Sequence, residues 1–177
     1  MVFNKNVSKS DIFYTPDWII DLLVPYLSID GYNTVWEPAC GQNHIVNRLV
    51  HHGYNVVGTD ITDDGDNDFI VHTGWVDFDI IITNPPFSSK DAFIRKCIEY
   101  KKPFALLLPI SSLEGKTRSK LWQQCEDLSV IIPDKRVNFI GQSGSPNFCS
   151  AWFCNGFNLG KQIIFINTSK DLQNNDK

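Results

Sequence analysis

Apolar residues fall at helical spacing from Trp18 through Ile19, Leu22 and Leu23 to Tyr26, with Thr15 placed to cap the stretch and Pro16 suited to its first turn. The pattern then changes. Asn33 to Glu37, holding Val35 and Trp36, reads as a short buried strand, and Ile45, Leu49 and Val50 mark the inner side of a helix that Gly53 ends. Asn55 to Asp60 predicts a second strand finishing in a carboxylate. Strand, tight loop, helix and strand in that order open a βαβ unit.

Further on, Phe69-Ile70-Val71 predicts an edge strand, and Asp79 to Thr83 a buried one running into Asn84-Pro85-Pro86-Phe87. Two prolines forbid continuation of the sheet, so the residues at this strand end sit in a stiff loop. Phe93, Ile94, Cys97 and Ile98 predict a helix, followed by the strand Phe104 to Leu108 and a stop at Pro109. Leu121, Trp122, Cys125 and Leu128 predict another helix, Ser129 to Ile132 a short strand, and Arg136 to Pro146 a loop. Phe148 to Cys154 and Gln162 to Ile166 are apolar runs whose connection is too short for a crossover helix, which predicts an antiparallel hairpin. Residues 169–177 are polar and read as a frayed tail. Such alternation predicts an α/β protein with a mostly parallel sheet covered on both faces.

A chain of 177 residues, 42% hydrophobic and 20% charged, is the size of one domain spanning residues 1–177 and leaves no room for a large multidomain enzyme. Its formal charge of −4 gives no global attraction to a polyanion, so a nucleic-acid partner needs a local basic surface. The distribution allows one: residues 60–79 hold seven Asp and no Lys or Arg, whereas residues 90–120 hold eight Lys or Arg against three acids. No apolar run is long enough to span a bilayer and the polar start lacks a signal-peptide core, so the expectation is a soluble cytoplasmic protein without membrane contact. Cys40, Cys97, Cys125, Cys149 and Cys154 form no CxxC pair, which favours free thiols over structural zinc. The aspartates between 60 and 68 lack the calcium-loop spacing and its terminal Glu, so no required metal is expected.

Ligands of an open parallel sheet collect outside the carboxyl ends of its strands. Those ends hold Glu37-Pro38-Ala39-Cys40-Gly41, Thr59-Asp60 and Asn84-Pro85-Pro86-Phe87. Gly41 lets the backbone approach a ligand, and Asp60 lies about twenty residues after that loop, where a carboxylate accepts bonds from ribose hydroxyls. Asp60 also suits a turn cap, Asp68 a loop pin, and His44 a capping or surface role.

Glu37 to Gly41, Asp60, Asp68-Phe69 and Asn84 to Phe87, in that order, resemble the motifs of S-adenosylmethionine-dependent N6-adenine amino-methyltransferases of the Asn-Pro-Pro-Phe type. The resemblance runs from about Tyr14 to Ile166. It implies a Rossmann-like class I methyltransferase fold with a mostly parallel seven-stranded sheet and a C-terminal antiparallel hairpin. It also implies S-adenosylmethionine as cofactor, with Tyr14, Thr15, Pro16, Glu37, Pro38, Ala39, Cys40 and Gly41 around its methionine part. Asp60, followed by Ile61, is implied to hold the ribose and Asp68 the adenine amine, with Phe69 beside the ring. The family usually carries a second glycine where this chain has Asn43, a residue that also tolerates the left-handed region.

An adenine amine is a poor nucleophile because its lone pair is delocalised into the ring. Acceptors on its protons favour a more pyramidal nitrogen, and the Asn84 side-chain oxygen and the Pro85 carbonyl are expected to serve, with Asn84 also beside the cofactor. In the Asn84-Pro85-Pro86-Phe87 loop, Phe87 is the expected platform for an extruded base, or alternatively a core residue closing the sheet end. Lys90, Arg95, Lys96, Lys116, Arg118, Lys120, Lys135 and Arg136 form the expected nucleic-acid face, with Lys101-Lys102 an ordinary solvated pair. Ser111, Ser112 and Gly115 read as a lip, while Arg136 and Phe139 resemble the family's late target-contacting part. The preferred function is DNA adenine N6-methylation of short or relaxed specificity. RNA adenine, a protein glutamine, or a catalytically weak nucleic-acid-binding or partner subunit are the alternatives, and a homodimer or partner could supply further recognition.

Overall fold

The computed structural model describes residues 13–62, 68–72, 76–141 and 148–171. Seven strands make one sheet in the order β2-β1-β3-β4-β6-β5-β7. They are β1 (Thr34–Glu37), β2 (Asn55–Gly58), β3 (Ile80–Thr83), β4 (Phe104–Pro109), β5 (Ser129–Pro133), β6 (Ser150–Asn155) and β7 (Ile163–Ile166). The helices are α1 (Asp17–Asp21), α2 (Val24–Asp30), α3 (His44–His51), α4 (Lys90–Tyr100), α5 (Lys116–Trp122) and the single turn α6 (Thr168–Asp171).

The central strands are apolar throughout because both faces are covered. Val35, Ile80, Ile82, Ala105, Leu107, Trp152 and Cys154 meet Ile19, Ile20, Leu23, Leu27, Ile45 and Leu49 on one side. Trp36, Ile81, Phe104, Leu106, Leu108 and Phe153 meet Phe93, Ile94, Cys97, Leu121 and Trp122 on the other. The strict alternation along β3, β4 and β6 is the period-two signature of a sheet packed on two sides. β1, β2, β3 and β4 run parallel, and β6 is antiparallel to both β4 and β5.

Several expected elements take another form. The stripe from Trp18 to Tyr26 is not one helix: Pro25 stands in the first turn of α2, where its ring and missing N–H break continuity with α1. Thr15 does not cap α1, since Pro16 occupies the cap position without a side-chain bond. Val50 is 53% exposed and leaves the inner face of α3 to Ile45 and Leu49. Phe69 to Val71 is a turn, closed by Ile70 N–H donating to Asp68 Oδ1 at 3.0 Å and Val71 N–H to the Asp68 carbonyl at 3.1 Å, so β2 remains the sheet edge. α5 starts earlier than expected and ends before Cys125 and Leu128. The C-terminal strands are antiparallel in direction as expected, but β6 and β7 do not pair as a hairpin. β5 lies between them, antiparallel to β6 and parallel to β7. Past Thr168 the chain makes one helical turn, with Thr168 buried and its hydroxyl donating to Asp134 at 2.6 Å. The part of the expected loop at 142–146 lies outside the described residues.

Trp152 ties a face of the sheet to α1: its indole N–H donates to the Ile19 carbonyl at 2.7 Å, wholly buried. Trp152→Phe removes that buried donor and is expected to destabilise by ~1–3 kcal/mol, lowering Tm by ~2–12 °C for a domain of this size. Thermal melting followed by circular dichroism checks it, and an unchanged Tm would show that the bond contributes nothing.

Candidate active site

At the carboxyl ends of β1, β2 and β3 lies a cavity of ≈ 370 Å³. Its wall includes Tyr14, Thr15, Glu37, Pro38, Ala39, Cys40, Gly41, Asp60, Ile61, Asp68, Phe69 and Asn84, which are sequence-predicted site residues brought together from five separate segments. Phe13, His44, Ile45, Thr62, Ile70, Pro86, Ser89 and Phe93 complete it.

The loop after β1 turns with Gly41 at φ 49° and Asn43 at φ 63°. Asn43 therefore occupies the left-handed region directly before α3, and the turn forms without a second glycine. Asp60 stitches this loop to the next strand end: Gly41 N–H donates to its Oδ2 at 2.9 Å. Its Oδ1 accepts from the Thr62 N–H at 3.0 Å and the Thr62 hydroxyl at 2.9 Å. Asp60 is thus a turn cap as well as part of the cavity wall. Asp68 pins the turn carrying Phe69 through Oδ1, leaving Oδ2 without a partner among the described residues.

Glu37 closes the floor. Its Oε1 accepts from Ala39 N–H at 3.0 Å, and Oε2 is buried without a hydrogen-bond partner among the described residues. Burial pushes its pKa up to about 8; the neighbouring Thr83 and the Ala39 N–H pull it back less strongly, and the Asp60 charge adds a small rise. Neither Oε2 nor Thr83 Oγ1 reaches hydrogen-bonding geometry with any described group.

Asn84 leaves β3 with its amide held by the N-terminal segment. Nδ2 donates to the Phe13 carbonyl at 2.7 Å and to Thr15 Oγ1 at 3.1 Å. A carbonyl accepts only, so this network fixes which amide atom is nitrogen. The consequence is that Oδ1 is a buried acceptor with no partner among the described residues. Thr15, expected as a helix cap, instead orients Asn84.

Of the rest of the loop, Pro86 lines the cavity as expected and the other two residues do not. Pro85 is buried and Phe87 only 9% exposed, and neither belongs to the cavity wall. The Phe87 ring is covered by Phe13, stacked at 4.9 Å between centroids and 24° between planes, with Phe148 and Phe139 edge-on at 5.5 and 6.1 Å. Phe87 sits in the core as described, the alternative its position also allowed. His44, the first residue of α3, lines the cavity with its ring 5.3 Å from that of Tyr14.

Phe13 and Gly58 are among the site's residues that the sequence does not single out. Phe13 precedes the expected segment by one position and carries no motif. Gly58, near the end of β2, packs under the glycine loop: a Cβ there would meet Val46 Cγ2 at 3.0 Å, Cys40 Cβ at 3.4 Å and Asn43 Oδ1 at 3.5 Å. A glycine ending a strand before Thr-Asp is the signal that could have found it.

Strand order, the single reversed strand and the placement of the cavity define the S-adenosylmethionine-dependent class I methyltransferase fold. Solved structures share it. A protein of Listeria monocytogenes assigned to the class I S-adenosylmethionine-dependent methyltransferases superposes with a TM-score of 0.62 at 14% identity, over 92% of this chain and 68% of that one. A modification subunit assigned to a type I restriction enzyme of Vibrio vulnificus YJ016 gives 0.58 at 14% identity, over 88% and 46%. A protein of Pyrococcus horikoshii assigned as an RNA methyltransferase gives 0.54 at 14% identity, over 82% of each chain. In sequence, the chain is 30% identical over 217 aligned positions to the Type II methyltransferase M.CvrRI of Paramecium bursaria Chlorella virus XZ-6E, covering 92% of this chain. The chain spans 57% of the length of that curated relative. No protein-family model matches the chain. No described helix is long and apolar enough to cross a membrane.

Proposed function

We propose that this chain transfers a methyl group from S-adenosylmethionine to the exocyclic N6 amine of adenine in DNA. The observation that carries the reading is Asn84 Oδ1, a buried acceptor without a partner among the described residues, on a side chain that lines the cavity and whose amide nitrogen is held by two oxygens. An acceptor fixed in this way suits an amine whose proton it must draw on. The likeness to M.CvrRI, a Type II methyltransferase, and to the Vibrio modification subunit supports methyl transfer as the chemistry.

The cavity residues fit the cofactor. Its volume lies within the usual range of ligand pockets, ~300–1,000 Å³. Asp60 lines the cavity at the end of β2, where its carboxylate is the acceptor that suits a ribose hydroxyl. Asp68 Oδ2 is open to an adenine amine beside Phe69, and Glu37 lines the cavity with the loop assigned to the methionine end. When bound, the cofactor supplies an electrophilic methyl on a sulfonium. The chain orients the amine through Asn84 and excludes water with Tyr14, Ile45 and Phe93. Asn84 is an acceptor and orienter and not a base, since a neutral amide does not take up a proton at ordinary pH.

The deciding experiment offers labelled S-adenosylmethionine with DNA, RNA and protein in parallel and locates the methyl by mass spectrometry. Label on adenine N6 of DNA is the expected result, whereas label on RNA adenine, cytosine or glutamine overturns the assignment. Gly58→Ala gives a separate check on the cofactor side. The added methyl pushes on Val46 and the glycine loop, and overpacking of ~1 kcal/mol is expected to weaken cofactor binding ~5-fold. Calorimetric titration reads that, and an unchanged Kd would mean the loop yields freely.

A further inference from the structure

Resting on the reading just given, we propose that a cleft between α4 and α5, lined by Arg95, Lys116 and Lys120, seats the phosphates of the nucleic-acid strand whose base enters the cavity. The cleft is distinct from the cavity and shares α4 with it as a common wall. Ser89, just before α4, and Phe93 on it line the cavity, while Arg95 faces α5 with Lys116, Thr117, Lys120, Leu121 and Gln124.

Of the eight cations expected on a nucleic-acid face, five have other engagements. Lys90 donates to the Phe87 carbonyl at 2.9 Å, and Lys96 lies 3.9 Å from Glu99. Arg118 bridges to Asp91 at 3.2 Å and to the Glu114 carbonyl at 2.8 Å, which locks α5 to α4. Lys135 sits 4.3 Å over the Trp18 ring, and Arg136 is likewise engaged. The side chains of Arg95, Lys116 and Lys120 have no hydrogen bond or ion pair among the described residues, all three are exposed, and no acid lines their cleft.

Three unpaired cations converging without a carboxylate raise a positive potential that the chain's net charge of −4 would otherwise oppose. The Thr117 hydroxyl supplies a neutral donor in the same cleft. Distance is compatible with one polymer at both places. From Ser89 to Arg95 is about 9 Å along the helix axis at ~1.5 Å per residue, and phosphates of one strand recur every ~3.4 Å of duplex. A strand with its base in the cavity therefore has phosphates within roughly three nucleotides of the cleft.

The test compares the full chain with Arg95→Gln/Lys116→Gln/Lys120→Gln, using fluorescence anisotropy on duplex DNA, single-stranded DNA and RNA of one sequence from 50 to 200 mM salt. Losing three phosphate contacts reduces the salt slope by ~0.9 per contact on duplex and ~0.7 on single strands. Over that interval the affinity of the unaltered chain is expected to fall ~40-fold further than that of the triple variant on duplex, or ~20-fold further on a single strand. Cofactor affinity and thermal melting are expected to be unchanged, because the three side chains are exposed and unpaired. Equal slopes on all three polymers overturn the proposal. An equal loss of affinity for polyglutamate also overturns it, since that marks an indiscriminate polyanion surface. A slope that falls as expected without methyl on adenine leaves the cleft standing and removes the proposed reaction. Methyl on adenine with unchanged slopes does the opposite.

Discussion

Asn84→Ala is expected to lower methyl transfer to the target amine by a factor of about 10²–10³, the range found when one preorganised hydrogen-bonding group is removed from a reacting centre. Cofactor affinity should stay within about threefold, since the residues around Gly41, Asp60 and Asp68 keep their own bonds. The substitution also frees the Phe13 carbonyl and the Thr15 hydroxyl, which Asn84 Nδ2 now occupies. Asn84→Asp separates the two effects. It restores an acceptor at the Oδ1 position while offering no donor to the Phe13 carbonyl, so partial recovery of turnover without recovery of melting temperature assigns the loss to the acceptor. Single-turnover transfer of labelled methyl measures the step itself, and a rate unchanged in Asn84→Ala would remove Asn84 from the reaction.

The second large effect is on stability as a function of pH. Glu37 is fully buried, and desolvation lifts its pKa from 4.5 to about 8. The folded protein therefore holds a proton that the unfolded chain has released over that interval. With more protons bound in the folded state, stability falls as pH rises. The contribution is complete below about 4.5, declines through the interval and is gone above about 8. At ~1.4 kcal/mol per unit the full span amounts to at most ~5 kcal/mol. Urea denaturation at pH 5, 6.5 and 8 is expected to show a steep decline for the unaltered protein and a shallower one for Glu37→Gln, which is neutral throughout. Parallel curves for the two proteins would mean that Glu37 ionises normally.

Elements whose identity is local were readable from the chain. β3 and β4 are uninterrupted apolar runs closed by proline, and the glycine loop after β1 carries its own turn residues. What depended on distant partners was not. Gln162 to Ile166 looks like the return arm of a hairpin, yet whether it pairs with β6 or with β5 depends on which edge is open once β5 has entered the sheet. Phe69 to Val71 has strand composition, but the Asp68 carboxylate offers its backbone a tighter local partner than a neighbouring strand does. The stripe from Trp18 to Tyr26 reads as one helix by periodicity alone, whereas Pro25 within it divides the segment in two. At the site, motif residues located the cavity, whereas the orientation of Asn84 by Phe13 and Thr15 joins positions about seventy residues apart. Phe87 was weighed both as platform and as core because an aromatic after two prolines serves either; the ring that covers it comes from outside the motif.

The parallel rings of Phe13 and Phe87 have a thermodynamic corollary. Any flat heterocycle arriving on Phe87 must evict an intramolecular competitor, so its gain of ~1–3 kcal/mol on stacking is offset by the ~0.5–1.5 kcal/mol released pair. Such a swap keeps only about half of the stacking gain. Extraction of a nucleotide from an intact double helix then has to draw its driving force from elsewhere, and bases that are already unstacked enjoy an advantage.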